Sequence, residues 1–424
     1  MDNGCGVKNG QGETVQAEAV QISDGIYCVS VNLPSSLLFE GMWPMPDGIS
    51  LNSYVVKGEK TAIIDLIEDI DGEAACFLHK LASIDLRPEN IDYLIINHME
   101  PDHTRWLPAF HARNPHVRIY LSSKAAKMLK SFCDIDTNVH VIKSGDRLDL
   151  GGGKVLEFHE TPNIHWPETI MTYELQSGTL FSCDGFGSYG AIDGLYFDDQ
   201  LSAEQQEFFL AEALRYYSNI VASFSTFVTK AITQLSGLDI KVVAPSHGII
   251  WRASPQTIIE AYARFARYMQ GPAEPEITLI WSSMYGNTGQ LVETIERTVR
   301  QEEMPLHVYR VPEDLISHII ASAWSSSGLI LGMPTYEYQM FPPMAWMLDM
   351  FRRKKMLNKK VLRFGSAGWS GGAQRELDSI TEKLKWDFLE PIEWFGAPRQ
   401  PQFDQMAERT RELVARVRRA CEQG

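Results

Sequence analysis

The chain has 424 residues, of which 44% are hydrophobic and 22% are charged, a mix that is typical of a globular protein. Its 54 acidic and 39 basic residues give a net charge of −15. A surface this negative repels phosphate backbones and anionic lipid, so we expect no nucleic-acid partner and no membrane partner. No apolar run approaches the roughly 20 residues that cross a bilayer. The polar N-terminus also lacks a signal-peptide pattern, so we expect a cytoplasmic protein.

The first part of the chain mixes short strands and helices after a polar N-terminal arm over residues 1–22. β-Branched and aromatic runs bounded by turn residues predict strands, and apolar residues at helical spacing predict helices. The predicted strands cover 26–31, 53–56, 61–65, 93–97, 117–121, 139–142 and 241–245, and the predicted helices cover 73–84, 125–132 and 203–234. We therefore predict one α/β or α+β domain over residues 23–270.

A short segment at residues 271–276 has the composition of a linker, because it contains Gly271, Pro272 and Pro275. Beyond it, strands and helices alternate strictly. Strands are predicted over 277–281, 306–311, 328–332 and 360–365, and helices over 288–302, 312–323 and 404–421. Such alternation is typical of a doubly wound parallel sheet with right-handed crossovers. Residues 277–424 are therefore predicted to form a second, α/β domain.

The six cysteines do not suggest a metal site of their own. None is paired at the two-residue spacing of zinc ribbons or rubredoxins. A disulfide framework is also unexpected in a chain with no export signal. We expect most of them to be core fillers or surface thiols. Any bound metal must then be held mainly by histidine and carboxylate.

Metal-type ligands concentrate in loops that follow predicted strands. Two imidazoles and two carboxylates lie within six residues after the strand that ends near residue 97, and three further ligands follow later strands. The set is His98, Glu100, Asp102, His103, His165, Asp184 and His247. One such residue alone is more often part of a solvated polar loop. Seven of them, each after a predicted strand, are hard to obtain by chance and predict a metal centre.

Three loops of the second predicted domain, each after a predicted strand, have residues that suit a phosphate and a flat ring. The first carries Ser283, Met284, Tyr285, Gly286, Asn287 and Thr288, whose amides and hydroxyls suit a phosphate at a helix start. No GxGxxG or GxxxxGK[ST] motif is present, which disfavours dinucleotide and nucleoside-triphosphate loops. The later loops carry Pro334, Thr335 and Tyr336, then Ser366, Ala367, Gly368, Trp369 and Gly371. Their aromatic residues suit the faces of a flat ring, although either aromatic alone is equally typical of a core.

The six-residue cluster resembles the metallo-β-lactamase signature His-x-His-x-Asp-His, with Glu100 in place of the second histidine. With His165, Asp184 and His247 it is similar to the flavodiiron (A-type flavoprotein) family, and the three later loops resemble those of flavodoxin. The resemblance covers about residues 23 to 420. It implies a metallo-β-lactamase-like αββα domain followed by a flavodoxin-like doubly wound parallel-sheet domain. Exchanging an imidazole for a carboxylate adds hard oxygen donors, which suit iron better than zinc.

By this resemblance the chain binds two irons and FMN. His98, Glu100 and His165 would hold one iron, Asp102, His103 and His247 would hold the other, and Asp184 would bridge them. His103 is the least secure ligand, since that position does not bind iron directly in every family member. The resemblance also implies a minimal two-domain form without a fused rubredoxin, and a head-to-tail homodimer or homotetramer that brings the FMN of one subunit beside the irons of the other.

The activity implied by the family is the reduction of dioxygen to water, with electrons relayed by FMN from rubredoxin or another redox donor protein or reductase. Reduction of nitric oxide to nitrous oxide at the same site is the alternative. A dinuclear zinc hydrolase is a further alternative that Glu100 and the flavodoxin-like domain disfavour, and a pure electron carrier is disfavoured by the full ligand set. Metal analysis separates iron from zinc, and turnover of dioxygen separates an enzyme from a carrier.

Overall fold

The computed structural model describes residues 6–8, 14–16, 18–70 and 73–423. The chain divides into two compact units, Met1–Tyr216 with Thr226–Ala263, and Tyr217–Ser225 with Arg264–Gly424. The predicted domain limits at 23, 270 and 277 stay predictions. A strand that pairs with its neighbour begins at Val20, inside the predicted arm, and another begins at Glu274, inside the predicted linker. The remainder of the arm, at residues 1–5, 9–13 and 17, lies outside the described residues.

The strands of the first unit form two larger sheets and two small hairpins. The strands are β1 (Gly6–Lys8), β2 (Thr14–Gln16), β3 (Val20–Ser23), β4 (Ile26–Leu33), β5 (Leu38–Phe39), β6 (Trp43–Pro44), β7 (Ile49–Lys57), β8 (Thr61–Ile64), β9 (Tyr93–Ile95), β10 (Arg118–Ser122), β11 (Val139–Ile142), β12 (Arg147–Gly151), β13 (Lys154–Glu160), β14 (Ile170–Glu174), β15 (Thr179–Cys183) and β16 (Val242–Pro245). One sheet has the order β11-β10-β9-β8-β7-β4-β3, and the other has the order β12-β13-β14-β15-β16.

The two larger sheets pack face to face. Strands β9, β14 and β15 are buried along their whole length, as expected of strands covered on both faces. Tyr54 of β7 packs its ring 5.1 Å from the ring of Phe181 on β15. The amide of Asn97, just after β9, donates to the Phe181 carbonyl and accepts from Thr172 on β14. Polar groups thus join the sheets at the point where the metal-type loops begin.

Helices flank these sheets. They are α1 (Glu73–Ser83), α2 (Pro101–Thr104), α3 (Leu107–Arg113), α4 (Ser123–Cys133), α5 (Ala203–Tyr216), α6 (Ser225–Leu235) and α7 (Pro255–Arg267), with a π-helical turn at Tyr217–Val221 and a 3-10 turn at Ala222–Phe224 after α5. Two sheets covered by helices form an αββα sandwich, which confirms the fold class expected from the sequence. Among the helices that the structure describes, none is both long and apolar enough to cross a membrane.

The second unit is built on a parallel sheet. Its strands are β17 (Glu274–Trp281), β18 (Leu306–Arg310), β19 (Ser326–Gly332), β20 (Thr335–Tyr336), β21 (Gln339–Met340), β22 (Lys360–Ala367), β23 (Asp387–Phe388) and β24 (Ile392–Phe395). The order is β18-β17-β19-β22-β23, and β24 also pairs with β22. This order is that of the flavodoxin-like doubly wound fold.

The helices of the second unit are α8 (Val292–Gln301), α9 (Ile316–Ser325), α10 (Pro342–Arg353), α11 (Ala373–Thr381) and α12 (Gln400–Gln423). The core includes Ile277 and Leu279 of β17, Ile330 of β19, and Leu413 and Val417 of α12. The predicted helix over 288–302 begins later, because a 3-10 turn at Gly289–Leu291 precedes α8.

The cysteines of the described residues follow the expectation with one exception. Cys28 and Cys183 are buried free thiols, and Cys133 and Cys421 are partly exposed free thiols. Cys76 is disulfide-bonded. The expectation of core fillers and surface thiols therefore does not extend to Cys76.

Candidate metal centre and flavin site

The metal-type residues all follow strands of the two packed sheets. His98 lies just after β9, and Glu100 is the N-cap residue of the short helix α2, which carries Asp102 and His103. His165 lies between β13 and β14, while Asp184 and His247 come directly after β15 and β16. All seven side chains are buried. The structure therefore brings the seven predicted residues together in one buried cluster.

One half of the cluster consists of His98, Glu100, His165 and Asp184, which present ligand atoms within 4.8 Å of one another. The Nε2 atom of His165 lies 2.8 Å from Glu100 Oε2, and that of His98 lies 3.2 Å from the same oxygen. Both imidazoles also face Asp184 Oδ2, at 3.3 Å for His98 and 3.4 Å for His165. Two nitrogens and two carboxylate oxygens thus converge on one point.

The other half consists of Asp102, His103 and His247, with the second oxygen of Asp184. His247 Nε2 lies 3.3 Å from Asp102 Oδ2 and 3.3 Å from Asp184 Oδ1. His103 Nε2 lies 3.0 Å from Asp184 Oδ1 and 3.5 Å from Asp102 Oδ2. Asp184 therefore turns one oxygen toward each half, which is the geometry of a carboxylate that bridges two ions.

The histidines and carboxylates of the cluster face one another and shift one another's pKa values. Burial disfavours protonated His247, but its contacts with Asp102 and Asp184 outweigh this and raise its pKa to about 10. Burial is likewise outweighed at His98, whose pKa rises well above its usual value beside Asp184 and Glu100. The pKa of Asp184 falls well below its usual value despite burial, because His103 and His98 lie beside it. The contacts between His247 and Asp184 therefore favour the protonated imidazole and the ionised carboxylate.

Several buried atoms of the cluster have no hydrogen-bond partner. Both carboxylate oxygens of Asp102, Oδ2 of Asp184 and Nε2 of His247 are buried without one. An unsatisfied buried carboxylate is costly, and a bound cation satisfies it directly. The histidine and carboxylate donors also suit non-haem iron. The residues present therefore fit a dinuclear metal centre, with His98, Glu100 and His165 on one ion, Asp102, His103 and His247 on the other, and Asp184 between them as the proposed assignment.

Two groups outside the predicted set orient histidines by hydrogen bonds, and a third lies near one. His98 donates from Nδ1 to Glu168 Oε1 at 2.7 Å, and His247 donates from Nδ1 to the Ser50 carbonyl at 2.8 Å. Asp65 lies 3.9 Å from His103 Nδ1, and burial raises the pKa of Asp65 to about 6. These contacts leave the Nε2 atoms facing the cluster. Sequence reasoning missed these three residues, because none lies in a dense ligand motif.

A cavity of about 220 Å³ reaches Glu100 and Asp102 from one side. Leu33, Leu37 and Phe39 give it an apolar wall, and Leu38 at its rim is half exposed. Phe39 also packs its ring 5.6 Å from the ring of His247. A small uncharged molecule can reach the cluster by this cavity.

The three predicted flavin loops meet at the carboxyl ends of β17, β19 and β22. A cavity of about 330 Å³ lies between them. Its lining includes most of the predicted residues, namely Ser283, Met284, Tyr285, Asn287, Pro334, Thr335, Tyr336, Ser366, Ala367, Gly368 and Trp369. Glu337 and Gly396 also line it and were missed by sequence reasoning. Ligands of doubly wound sheets bind at this edge.

Three predicted residues do not line this cavity. Gly286 supports the first loop, since it has a φ of +91° and its N–H donates to Ser283 Oγ. Thr288 is buried with its hydroxyl 3.2 Å from that of Ser366, which joins two of the loops. A Cβ on Gly371 would lie 2.4 Å from Glu393 Oε1. The role of these three residues in cofactor binding stays a prediction.

The cavity has the features that FMN requires. The hydroxyl of Thr335, which lines the cavity, is buried without a hydrogen-bond partner, so it is free to bind a polar ligand. Tyr285 is 89% exposed and Trp369 is 74% exposed, which leaves both rings free to cover a flat ring system. The loop residues therefore fit FMN, with its phosphate at residues 283–288 as the proposed orientation.

Comparisons with known proteins agree with this combination of sites. The family model described as ODP family beta lactamase matches residues 49–248. The chain is 35% identical over 342 residues to the anaerobic nitric oxide reductase flavorubredoxin of Pectobacterium atrosepticum, covering 80% of this chain and 65% of that protein. It is 32% identical to the protein of the same name from Escherichia coli, covering 87% and 76%. The chain thus spans about two thirds to three quarters of the length of these relatives.

Solved structures show the same likeness over nearly the whole chain. The rubredoxin oxygen:oxidoreductase of Desulfovibrio gigas superposes with a TM-score of 0.87 at 25% identity, covering 95% of this chain and 100% of that one. A variant of the flavo di-iron protein of Thermotoga maritima superposes with a TM-score of 0.85 at 30% identity, covering 94% and 98%.

Fold and site together define a two-domain protein with a metallo-β-lactamase-like dinuclear metal domain and a flavodoxin-like domain. The chain belongs to the flavodiiron protein family. Members of this family bind a non-haem diiron centre and FMN. The family assignment and the cofactors expected from the sequence are therefore confirmed.

Proposed function

We propose that this chain is an oxidoreductase that reduces dioxygen to water, with electrons passed through FMN to the diiron centre. The observation that supports this most directly is the buried cluster in which Asp184 turns one oxygen to each of two histidine and carboxylate groups. Two ferrous ions and one reduced FMN together supply the four electrons that convert dioxygen and four protons into two waters. The superposition on a rubredoxin oxygen:oxidoreductase agrees with this proposal.

The residues of the chain hold, orient and shelter the reacting centre. Glu100 and Asp102 line the cavity that has an apolar wall, so a small uncharged substrate in this cavity lies beside the centre. Asp184 would fix the spacing of the two ligand groups, because each of its oxygens faces histidines of one group. Phe39 covers His247 and excludes water from that side.

Reduction of nitric oxide is a second candidate for the same site. The relatives named above are anaerobic nitric oxide reductases, and they are similar to most of this chain. Two nitric oxide molecules, two electrons and two protons would give nitrous oxide and water. The cavity near Glu100 does not exclude either diatomic substrate, since both are small and uncharged.

We further propose rubredoxin or a related redox protein or reductase as the electron donor, and a head-to-tail homodimer or homotetramer as the working assembly. The names of the two relatives and of the Desulfovibrio gigas protein refer to rubredoxin. The assembly is supported by the family resemblance, and light scattering on the purified chain measures it.

The experiment that tests the function uses the full chain reconstituted with iron and FMN. The protein is reduced without air and then mixed separately with dioxygen and with nitric oxide, while flavin oxidation and products are followed. Rapid reoxidation with water as the product supports the proposal. Reoxidation no faster than that of free FMN with either gas, in protein that holds two irons, would contradict it.

A further inference from the structure

The two halves of the metal cluster differ in what holds their histidines from behind. His98 donates from Nδ1 to a carboxylate, Glu168 Oε1, at 2.7 Å. On the other half, His247 donates to a backbone carbonyl, that of Ser50, at 2.8 Å. The nearest carboxylate to His103 Nδ1 is Asp65, at 3.9 Å, which is beyond hydrogen-bond distance. Among the Nδ1 atoms of His98, His103 and His247, only that of His98 is therefore hydrogen-bonded to a carboxylate.

Glu168 is built into the fold in a way that fixes its position. It is only 2% exposed, and the same Oε1 atom also accepts from the Met99 N–H at 3.1 Å. Its own carbonyl accepts from the Ser122 hydroxyl at 2.7 Å, and Ser122 caps helix α4. Glu168 thus connects the loop that carries His98 to its own loop, which also carries His165 three residues before Glu168. Both histidines belong to the same half of the cluster.

The second carboxylate oxygen of Glu168, Oε2, has surroundings that differ from those of Oε1. Its Oε2 atom is buried without a hydrogen-bond partner. Glu168 lines a polar cleft of about 390 Å³, together with Ser122, Lys124, Ser144 and Glu160. The Glu168 side chain is fully buried, so the cleft reaches the residue without exposing its carboxylate, and Oε1 keeps its bond to His98. Both hydrogen bonds to this carboxylate are therefore accepted by Oε1, from His98 and Met99 of the same loop.

We propose that Glu168 is a positioning residue that fixes His98 with Nε2 toward the cluster and makes the ion of the His98 half the more tightly held of the two. This inference rests on the diiron site of the proposed function. A carboxylate behind a metal-binding imidazole sets its tautomer and increases its donor strength, and loss of such a partner typically weakens metal affinity by about 10- to 100-fold. His247, with a carbonyl behind it, receives less of this effect.

The test compares the parent with Glu168→Ala, Glu168→Gln and a matched control, Glu160→Gln. Glu160 lines the same cleft, and its carboxylate accepts from the Ser144 N–H rather than from a histidine. Each full-length protein is loaded with ferrous iron without air and titrated with a chelator, while iron and FMN per chain are measured. FMN retention reports that a variant is folded.

We expect Glu168→Ala to lose one iron per chain at a chelator concentration about 10- to 100-fold below that needed for the parent. Glu168→Gln should lie between the two, because the amide oxygen still accepts from His98 but carries no charge. Glu160→Gln should match the parent. Unchanged affinity in both Glu168 variants, equal weakening of both ions, or an equal effect in Glu160→Gln would overturn the proposal. If Glu168→Ala does not fold, the Glu168→Gln result decides.

A parallel titration with cobalt(II) separates this inference from the proposed function. The visible absorption of cobalt(II) reports the ligand geometry at each ion without any turnover. If the parent takes up no iron but binds cobalt, the proposed function fails and the comparison of Glu168 variants still stands. If the parent holds two irons and the Glu168 variants match it with both metals, only the role of Glu168 fails.

Discussion

Glu100 is the residue at which this cluster departs from the histidine-rich pattern of the metallo-β-lactamase signature. Its Oε2 atom lies 2.8 Å from His165 Nε2 and 3.2 Å from His98 Nε2, so the carboxylate stands inside the first ligand group. Hydrogen bonds from these two histidines outweigh burial and lower the pKa of Glu100 below its usual range. A permanently ionised oxygen donor at this position favours a hard ion over zinc.

We therefore predict that Glu100→His shifts the metal content of the purified chain from iron toward zinc. The reductase rate should fall by at least about 100-fold, as for loss of a directly bonded group. Elemental analysis after growth with both metals measures the ratio, and Glu160→Gln is the control. An iron content and a turnover equal to those of the parent would contradict the prediction.

Metal uptake by the histidines should release protons. The acidic neighbours of His98, His103 and His247 raise the pKa of all three, and that of His247 lies at about 10. His247 is therefore protonated at pH 7, whereas a ligating imidazole is neutral. Metal affinity should accordingly rise as the pH increases from about 7 toward 10.

Calorimetry of ferrous iron binding at pH 7, in two buffers with different ionisation enthalpies, measures this release. We expect the apparent enthalpy to depend on the buffer with the sign of proton release. His159→Gln should behave like the parent, since burial lowers the pKa of His159 and it lies outside the cluster. Equal enthalpies in both buffers would show that no net proton leaves.

At the scale of elements, strand ends were the most predictable part of the site. Ligand residues were predicted wherever a polar metal-type residue follows an apolar run, which is the case after β9, β15 and β16. The structure brings these three strand ends together. The helices α2, α3, α7, α10 and α11 were not predicted. Helix α10 begins with Pro342 and Pro343, which suit a helix start but also suggest a loop in sequence alone.

The residues behind the cluster could not be predicted from the sequence. Glu168 and Ser50 contact His98 and His247 across about 70 and 200 positions of the chain. Such contacts depend on how the two sheets pack, so they cannot be predicted from the spacing of residues along the chain. The loops of the flavin cavity were easier to find, because each one directly follows a parallel strand.

The contribution of helix α12 to the stability of the second unit can be measured. Leu413 is fully buried in the core of the second unit, among residues of β17, β19 and β22. We predict that Leu413→Ala lowers the free energy of unfolding of this unit by about 2–5 kcal/mol, because it leaves a cavity. Thermal release of FMN, followed by its fluorescence, reports the change.

The control for this prediction lies on the same helix. Glu408 is exposed, so Glu408→Ala should change stability by no more than about 0.5 kcal/mol. A Leu413→Ala protein that releases FMN at the temperature of the parent would show that α12 does not stabilise the flavin unit.

At the scale of the whole molecule, the second unit begins before the predicted linker. Trp324 donates from Nε1 to the Phe265 carbonyl at 3.0 Å, and Asn358 donates to the Gln270 carbonyl at 2.9 Å. A fragment of residues 264–424 keeps both acceptors, whereas a fragment of residues 275–424 loses them. We predict that both fragments bind FMN and that the longer one is the more stable.

Quenching of FMN fluorescence and thermal unfolding of the two fragments measure these properties side by side. The expected difference is about 1–3 kcal/mol, the cost of a buried donor that loses its acceptor. A folded longer fragment that binds no FMN supplied in excess would contradict the assignment of the three loops. Equal stability of both fragments would show that residues 264–274 contribute nothing.

The choice between dioxygen and nitric oxide concerns the whole protein, because it depends on electron supply as well as on the site. The cavity beside Glu100 and Asp102 is apolar on one wall and admits either gas. Reduction of dioxygen to water needs four electrons, which the full set of cofactors supplies together. Delivery of all four limits the release of partly reduced peroxide. We therefore predict that dioxygen turnover exceeds nitric oxide turnover with the same donor.

Steady-state rates with both gases, measured on one preparation and with one electron donor, test this prediction. Catalase added during oxygen consumption reveals peroxide by the oxygen that it returns. We expect little return, because Asp184 faces both ligand groups and would keep two bound irons together for a four-electron reduction. A chain without Asp184, as Asp184→Asn, should consume oxygen slowly and release a larger share of peroxide. Faster nitric oxide turnover in the parent would instead favour the activity named in the relatives.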